Sequence, residues 1–200
     1  MKKLYYLRHS LKDANNNISP EGIELAKDQG RAFFNASITL NRWFFGPLIR
    51  THQTGEAFLV GYTTAPIKGQ QIGPIGDDEF FKPIVTDEFK AAVKSGKSNF
   101  EAVLDVHNGR DVDLWKEMAF AGVKLMFDVM EDGEVAVAFG HSPMIELAAY
   151  AIQSWKAVDP EYQLKYRRLR EMEGINFGWR HPNLSDTVNG IGLWDRVSMP

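Results

Sequence analysis

The sequence predicts an α/β fold: three layers, with helices on both faces of a mostly parallel central sheet, α/β/α. Three observations carry that expectation. Short apolar runs at 3–7, 40–45 and 134–139 have the length of buried strands, and each stops at a basic residue or a glycine. Stretches with helical periodicity separate them. The resulting strand–helix–strand–helix order favours a parallel sheet covered on both sides.

The elements follow in order. Lys3 to Leu7 is the first strand, ending at Arg8-His9, and Asn15-Asn16-Asn17 is a polar loop. Ser19-Pro20-Glu21 is a helix start, with Ser at the N-cap, Pro at the first helical position and an acid in the first turn. Ile23, Ala26, Gly30 and Phe33 or Phe34 then mark its inner face. Leu40 to Phe45 is the second strand, stopped by Gly46-Pro47. Arg50 to Tyr62 is the second helix, with Thr54, Ala57, Phe58 and Gly61 inward. Residues 63–84 are loop-rich in Pro and Gly, with a short strand expected near Gln71 to Ile75. Residues 86–131 are helical, broken around 95–98 and 107–109. The last of these helices, from about Val112 to Met130, places Leu114, Met118, Ala121, Leu125 and Val129 along one stripe. After the Asp132-Gly133 turn, Glu134 to Phe139 is the third buried strand, Gly140-His141-Ser142-Pro143 follows it, and Met144 to about Trp155 is helical. Gly174 to Arg180 and Ile191 to Arg196 are candidate further strands.

A chain of 200 residues fits one domain, here 1–200 with 63–131 as an insertion or lid. Its 44% hydrophobic and 24% charged residues are those of an ordinary globular protein, which excludes global disorder, collagen-like repeats and a coiled coil. A net charge of −3 and a pI near 6.0 argue against a general nucleic-acid binder. Without cysteine there is no disulfide scaffold, thiol nucleophile or thiolate-bound metal. No stretch has the apolar core of a signal peptide or the length of a membrane span, so a cytoplasmic location without membrane or nucleic-acid partners is expected.

Ligands of open α/β sheets bind at the carboxyl ends of the strands. Three such ends carry charge: Arg8-His9, Arg50 and His141. A parallel sheet gathers them at one edge, as a positive pocket in a slightly acidic protein. A phosphoryl group suits that pocket, because each guanidinium donates two parallel hydrogen bonds to phosphate oxygens. Neutral His9 would attack phosphorus in line and form a phosphohistidine, its other ring nitrogen fixed by a backbone carbonyl. Arg8, Arg50 and a protonated His141 would stabilise the equatorial oxygens. No metal or other cofactor is needed, since the cationic side chains take its place. A carboxylic acid should stand opposite His9 to protonate the leaving group.

The sequence resembles the histidine phosphatase superfamily, the phosphoglycerate-mutase-like group. The residues that carry the resemblance are Leu4-Tyr5-Tyr6-Leu7-Arg8-His9, Ile18-Ser19-Pro20-Glu21-Gly22 with Ala26 and Gly30, Gly46-Pro47-Leu48-Ile49-Arg50-Thr51-His52-Gln53-Thr54, and Gly140-His141-Ser142. They occur in order from residue 3 to about 150. The resemblance implies His9 as the phosphorylated nucleophile and Arg8, Arg50 and His141 as the phosphate pocket. It also implies that the region between the second and third blocks supplies the proton donor and the specificity. Ser10 stands where the family usually has Gly, and Gly46 where it usually has Ser. Asn15 occupies the place of a phosphate-contacting Asn in some members. The proton donor has no clean motif; within Asp77-Asp78-Glu79-Phe80, Glu79 is the first choice and Asp78 the second.

The expected activity is hydrolysis of phosphate monoesters, of a small phosphorylated substrate or a phosphoprotein. Two rivals stand beside it: a phosphohistidine protein phosphatase without a general acid, and a silent phosphate binder, which Ser10 would favour. A metal at His9 and His141 is disfavoured by the neighbouring arginines. His52, His107 and the clusters Phe33-Phe34, Trp43-Phe44-Phe45 and Phe80-Phe81 are expected to be structural, and the second Arg-His pair, Arg180-His181, is given no role.

Overall fold

The computed structural model describes residues 1–63, 65–75, 78–155, 169–179 and 188–194, of which 74, 78, 79, 153–155, 179 and 188–194 are described by backbone alone. The elements are β1 (Lys2–Arg8), α1 (Pro20–Asn35), β2 (Arg42–Phe45), α2 (Ile49–Tyr62), β3 (Lys68–Gln71), α3 (Asp78–Phe81), α4 (Asp87–Lys94), α5 (Asn99–Val106), α6 (Gly109–Asp128), β4 (Val135–Gly140), α7 (Met144–Trp155), β5 (Gly174–Trp179) and β6 (Val188–Trp194). The strands form one sheet in the order β3-β2-β4-β1-β5-β6. The pairs β1/β4, β2/β4 and β2/β3 are parallel, and β5 and β6 add an antiparallel flank beside β1.

Alternation along β1 makes the three layers. Leu4 and Tyr6 point into a core shared with Phe44, Phe100, Trp115 and Phe127, on the side covered by α4 to α7. Tyr5 and Leu7 point into the opposite core with Phe33, Trp43, Phe58 and Phe139, on the side of α1 and α2. Helices α1 and α2 pack closely because Gly30 and Gly61 lack side chains: a Cβ on Gly30 would run into the Phe58 carbonyl, and one on Gly61 into that of Lys27. Ser19 caps α1 by accepting from the Gly22 N–H at 3.0 Å, with Pro20 behind it. Of the two candidate phenylalanines on α1, Phe33 is buried and Phe34 is exposed.

The breaks expected around 95–98 and 107–109 are helix caps: Ser98 forms a reciprocal capping box with Glu101, and Asn108 accepts from the Asp111 N–H. Two expectations are corrected. The strand sought at Gln71 to Ile75 lies earlier, at Lys68–Gln71, and Gly73–Ile75 is a 3-10 turn, since Pro74 has no N–H to offer a ladder. On α6 the stripe Leu114, Met118, Leu125 faces solvent, while Val112, Trp115, Ala119, Val123, Met126 and Phe127 are buried. Both stripes are apolar at helical spacing, and the one carrying Trp115 and Phe127 buries the larger surface. Residues 63–131 are continuous with the rest of the chain in packing: β3 joins the sheet and α5 and α6 fill its core.

Among the described residues no helix is long and apolar enough to cross a membrane. For the site, register matters most. Arg8 is paired with Gly140, and Phe45 with Phe139, so His9, Gly46 and His141 leave the sheet at the same edge.

Candidate active site

At that edge a cavity of about 700 Å³ is lined by Arg8, His9, Arg50 and His141, the four residues expected to converge. Three elements deliver them. The backbone N–H of His9 donates to the Gly140 carbonyl at 2.9 Å, which fixes the two histidine-bearing strand ends side by side, and the two imidazoles meet edge to face with centroids 4.7 Å apart. Arg50 is the second residue of α2, whose N-cap, Leu48, makes no side-chain capping bond. A cation in the first turn opposes the helix dipole, so its position is set by what it faces rather than by the helix.

The His9 ring is oriented by its own neighbour. Nδ1 donates to the Ser10 carbonyl at 2.6 Å, and Arg50 Nε donates to Nε2 at 3.3 Å. This arrangement leaves Nε2 unprotonated, with its lone pair facing a guanidinium. Burial lowers the His9 pKa to about 3; the Ser10 carbonyl opposes this, and Arg50, Arg8 and Lys12 add to it. His9 is therefore a neutral imidazole across the physiological range. His141 is also buried, and burial together with His9, Arg50 and Arg8 holds its pKa well below the usual value. In the empty cavity these influences favour the neutral form of the His141 ring. Arg50 Nη2 lies 3.4 Å from His141 Nδ1, so the proton belongs on Nε2, a buried nitrogen with no hydrogen-bond partner in the structure. An incoming phosphoryl oxygen would satisfy that N–H, and its negative charge would draw the ring toward the protonated form.

Ser10 does not reach for the phosphoryl position. Its hydroxyl donates to the Gly22 carbonyl at 2.7 Å and its N–H to Thr54 Oγ1 at 3.1 Å, tying the end of β1 to α1 and α2. Thr51 in turn donates to the Gly46 carbonyl at 2.8 Å, which makes Gly46 part of the turn that launches α2.

Other candidates lie apart. Asn15 is exposed, with its backbone N–H on Asp13 Oδ1 at 2.8 Å, and is not among the cavity-lining residues. Asp77 and the side chains of Asp78 and Glu79 fall outside the described residues, but α3 itself is at the cavity: its Phe81 meets His141 edge to face at 5.3 Å. His52 packs against both Trp43 and Phe45, and His107 packs on Trp115 with Nε2 at 2.9 Å from the Ile84 carbonyl. Arg180-His181 lies outside the described residues. The cavity also holds residues that the sequence did not single out: Lys12, Lys82, Lys90, Ser142 and Glu171. Of these, Ser142 directly follows His141 in its quoted block and Lys12 comes three residues after His9; Lys82, Lys90 and Glu171 had no positional signal.

No protein-family model matches the sequence, and no curated protein matches it. Solved structures match in shape. A phosphoserine phosphatase of Entamoeba histolytica, in complex with 3-phosphoglyceric acid, aligns over 96% of each chain at a TM-score of 0.60 and 15% identity. The chain has the phosphoglycerate-mutase-like fold. A phosphoglycerate mutase of Bacillus anthracis shares it over 88% of this chain and 86% of that one, at a TM-score of 0.58 and 13% identity. The protein histidine phosphatase SixA, complexed with tungstate, shares it over 88% of each chain at a TM-score of 0.50 and 11% identity. Within this fold, the strand order places Arg8, His9, Arg50 and His141 around one cavity at the carboxyl edge of the parallel strands.

Proposed function

We propose that the protein is a phosphatase of the acid-phosphatase type, hydrolysing phosphate monoesters through a phosphohistidine at His9 without a metal. The observation that carries this is the Nδ1 bond of His9 to the Ser10 carbonyl, which leaves Nε2 as a neutral nucleophile beside Arg50. In the first step the Nε2 lone pair forms the N–P bond as the P–O ester bond breaks, and the leaving oxygen takes a proton from a carboxyl group. In the second, water gives a proton back to that carboxylate as it forms the new P–O bond, the N–P bond breaks, and inorganic phosphate leaves with His9 and the acid restored. Arg8, Arg50 and the Nε2–H of His141 stabilise the equatorial oxygens. The candidates for the proton donor are Glu79, then Asp78, on α3, the helix whose Phe81 lies against His141. Residues 63–131 supply Phe81, Lys82, Val85 and Lys90 to the cavity wall, which supports their assignment to specificity for a small phosphorylated substrate.

A phosphohistidine protein phosphatase is the second reading. What supports it is the fold shared with the protein histidine phosphatase SixA, aligned over 88% of each chain. A phosphohistidine leaving group needs less acid help than an alkoxide.

The test is an aryl phosphate assay with EDTA on wild type and His9→Ala. Turnover that needs His9 and ignores EDTA supports the proposal, as does an acid-labile phosphoenzyme trapped by quenching. Full activity in His9→Ala at equal purity ends it, and vanadate binding without any turnover moves the assignment to a silent phosphate binder.

A further inference from the structure

We propose that Glu171 is a resident counter-anion of the phosphoryl pocket, holding Arg8 while the pocket is empty and giving up that guanidinium edge to the incoming phosphoryl group. The inference rests on the phosphate-pocket reading above and adds to it a residue outside every motif. The two arginines of the pocket are held differently. Arg50 is aimed at His9 and His141. Arg8 is turned to the segment before β5: Nη1 donates to the Leu169 carbonyl at 2.6 Å, and Nη2 pairs with Glu171 Oε1 at 3.0 Å.

That segment is firmly built. The N–H of Arg8 donates to the Glu173 carbonyl at 2.8 Å, and the N–H of Met172 donates back to the Arg8 carbonyl at 3.1 Å. Met172 adopts the left-handed conformation, φ 65°, that turns the chain. Glu173 is buried and accepts from both the backbone N–H and Nε of Arg170 at 2.7 Å. Glu171 is thus presented to Arg8 by a fixed turn, and its carboxylate lines the same cavity as the histidines.

A phosphate monoester carries close to two negative charges at neutral pH. Glu171 adds a third to a cavity whose other charged lining residues, among those described, are Arg8, Lys12, Arg50, Lys82 and Lys90. A guanidinium shared between a carboxylate and a phosphoryl dianion binds each less well than either alone, so the dianion and the carboxylate compete. The exchange has a use: product phosphate meets the same competitor, which opposes product inhibition.

The experiment measures binding of inorganic phosphate by calorimetry at pH 7.5 to wild type, Glu171→Gln and Glu171→Asp. It is paired with inhibition of aryl phosphate hydrolysis by phosphate. Glutamine keeps an acceptor oxygen for Arg8 Nη2, and the Leu169 carbonyl still holds Nη1, so the variant removes charge and leaves Arg8 in place. The expected result is about tenfold tighter phosphate binding and inhibition in Glu171→Gln, with Glu171→Asp within about threefold of wild type. If both variants bind phosphate more weakly, Glu171 only positions Arg8 and the proposal is wrong. Equal binding in all three proteins also overturns it. If wild type binds neither phosphate nor vanadate and shows no His9-dependent turnover, the phosphate-pocket reading fails, and this proposal with it.

Discussion

Arg50 Nε lies 3.3 Å from His9 Nε2, donating to the nitrogen that the Ser10 carbonyl leaves without a proton. The same guanidinium reaches His141 Nδ1 at 3.4 Å through Nη2. One side chain thus faces an unprotonated nitrogen of each imidazole. On the proposed mechanism it also meets the equatorial oxygens of the phosphoryl group. Replacing it by lysine keeps the charge but removes the planar fork. Arg50→Lys should lower kcat for an aryl phosphate by about 10²- to 10³-fold, the usual loss for a transition-state donor, with a smaller change in KM. Steady-state kinetics check it; a tenfold loss or less would put Arg50 outside the transition-state contacts.

The low His9 pKa has a kinetic consequence. An ordinary histidine loses its nucleophilic form below about pH 6.5. Here burial and the flanking cations bring that value to about 3, so His9 stays neutral well into acid. For an aryl phosphate, kcat/KM, which reports the free enzyme once the substrate's own ionisation is divided out, should show no acid limb near pH 6.5 and stay within about threefold from pH 7 to 4.5. A limb near 6.5 that disappears on replacing a residue other than His9 would assign it elsewhere; one that belongs to His9 contradicts the geometry. The stability side has the matching sign. Below about pH 6.5 the unfolded chain binds a proton at this position that the folded chain refuses, so this group makes the fold lose stability as pH falls from 6.5 toward 3.

The leaving group decides whether α3 carries the acid. Glu79→Gln should slow hydrolysis of an alkyl phosphate by about 10²-fold or more and leave an aryl phosphate nearly untouched, since a phenoxide departs without protonation. Equal rates with both substrates would remove Glu79 from the chemistry and favour the phosphohistidine phosphatase reading. The same loss in Asp78→Asn would choose the second candidate over the first.

The four pocket residues were legible because strand ends are local features: Arg8-His9 and His141 each follow an apolar run directly, and a parallel sheet places such ends together. Ser10 was ambiguous because its residue type does not say which way the hydroxyl turns, and a bond to Gly22, in the first turn of the next helix, decides it. Glu171 was not legible at all. It reaches Arg8 only through the antiparallel pairing of β5 with β1, in which Gly174 faces Leu7, and no spacing in the sequence encodes that register. The inner face of α6 was misjudged for a related reason. Two apolar stripes compete on one helix, and the partner that selects between them comes from elsewhere in the chain.

Glu146 offers a test independent of activity. It lies in the first turn of α7, buried behind the cavity, and Oε1 accepts from the Ser142 hydroxyl at 2.6 Å while Oε2 is buried without a hydrogen-bond partner. Burial raises its pKa to about 7, against the lowering effect of the Ser142 bond. The folded protein therefore keeps a proton that the unfolded chain releases above about pH 4.5. Stability contributed by this group is present below pH 4.5 and falls as pH rises to about 7. Glu146→Gln keeps the acceptor for Ser142 and removes the ionisation. The variant should match wild type near pH 4.5 and exceed it at pH 8 by about 1–3 kcal/mol, read from urea unfolding at the two values. A variant less stable than wild type at pH 8 would mean that the charged carboxylate has a favourable partner, with Arg8, whose charge acts in that direction, the first to examine.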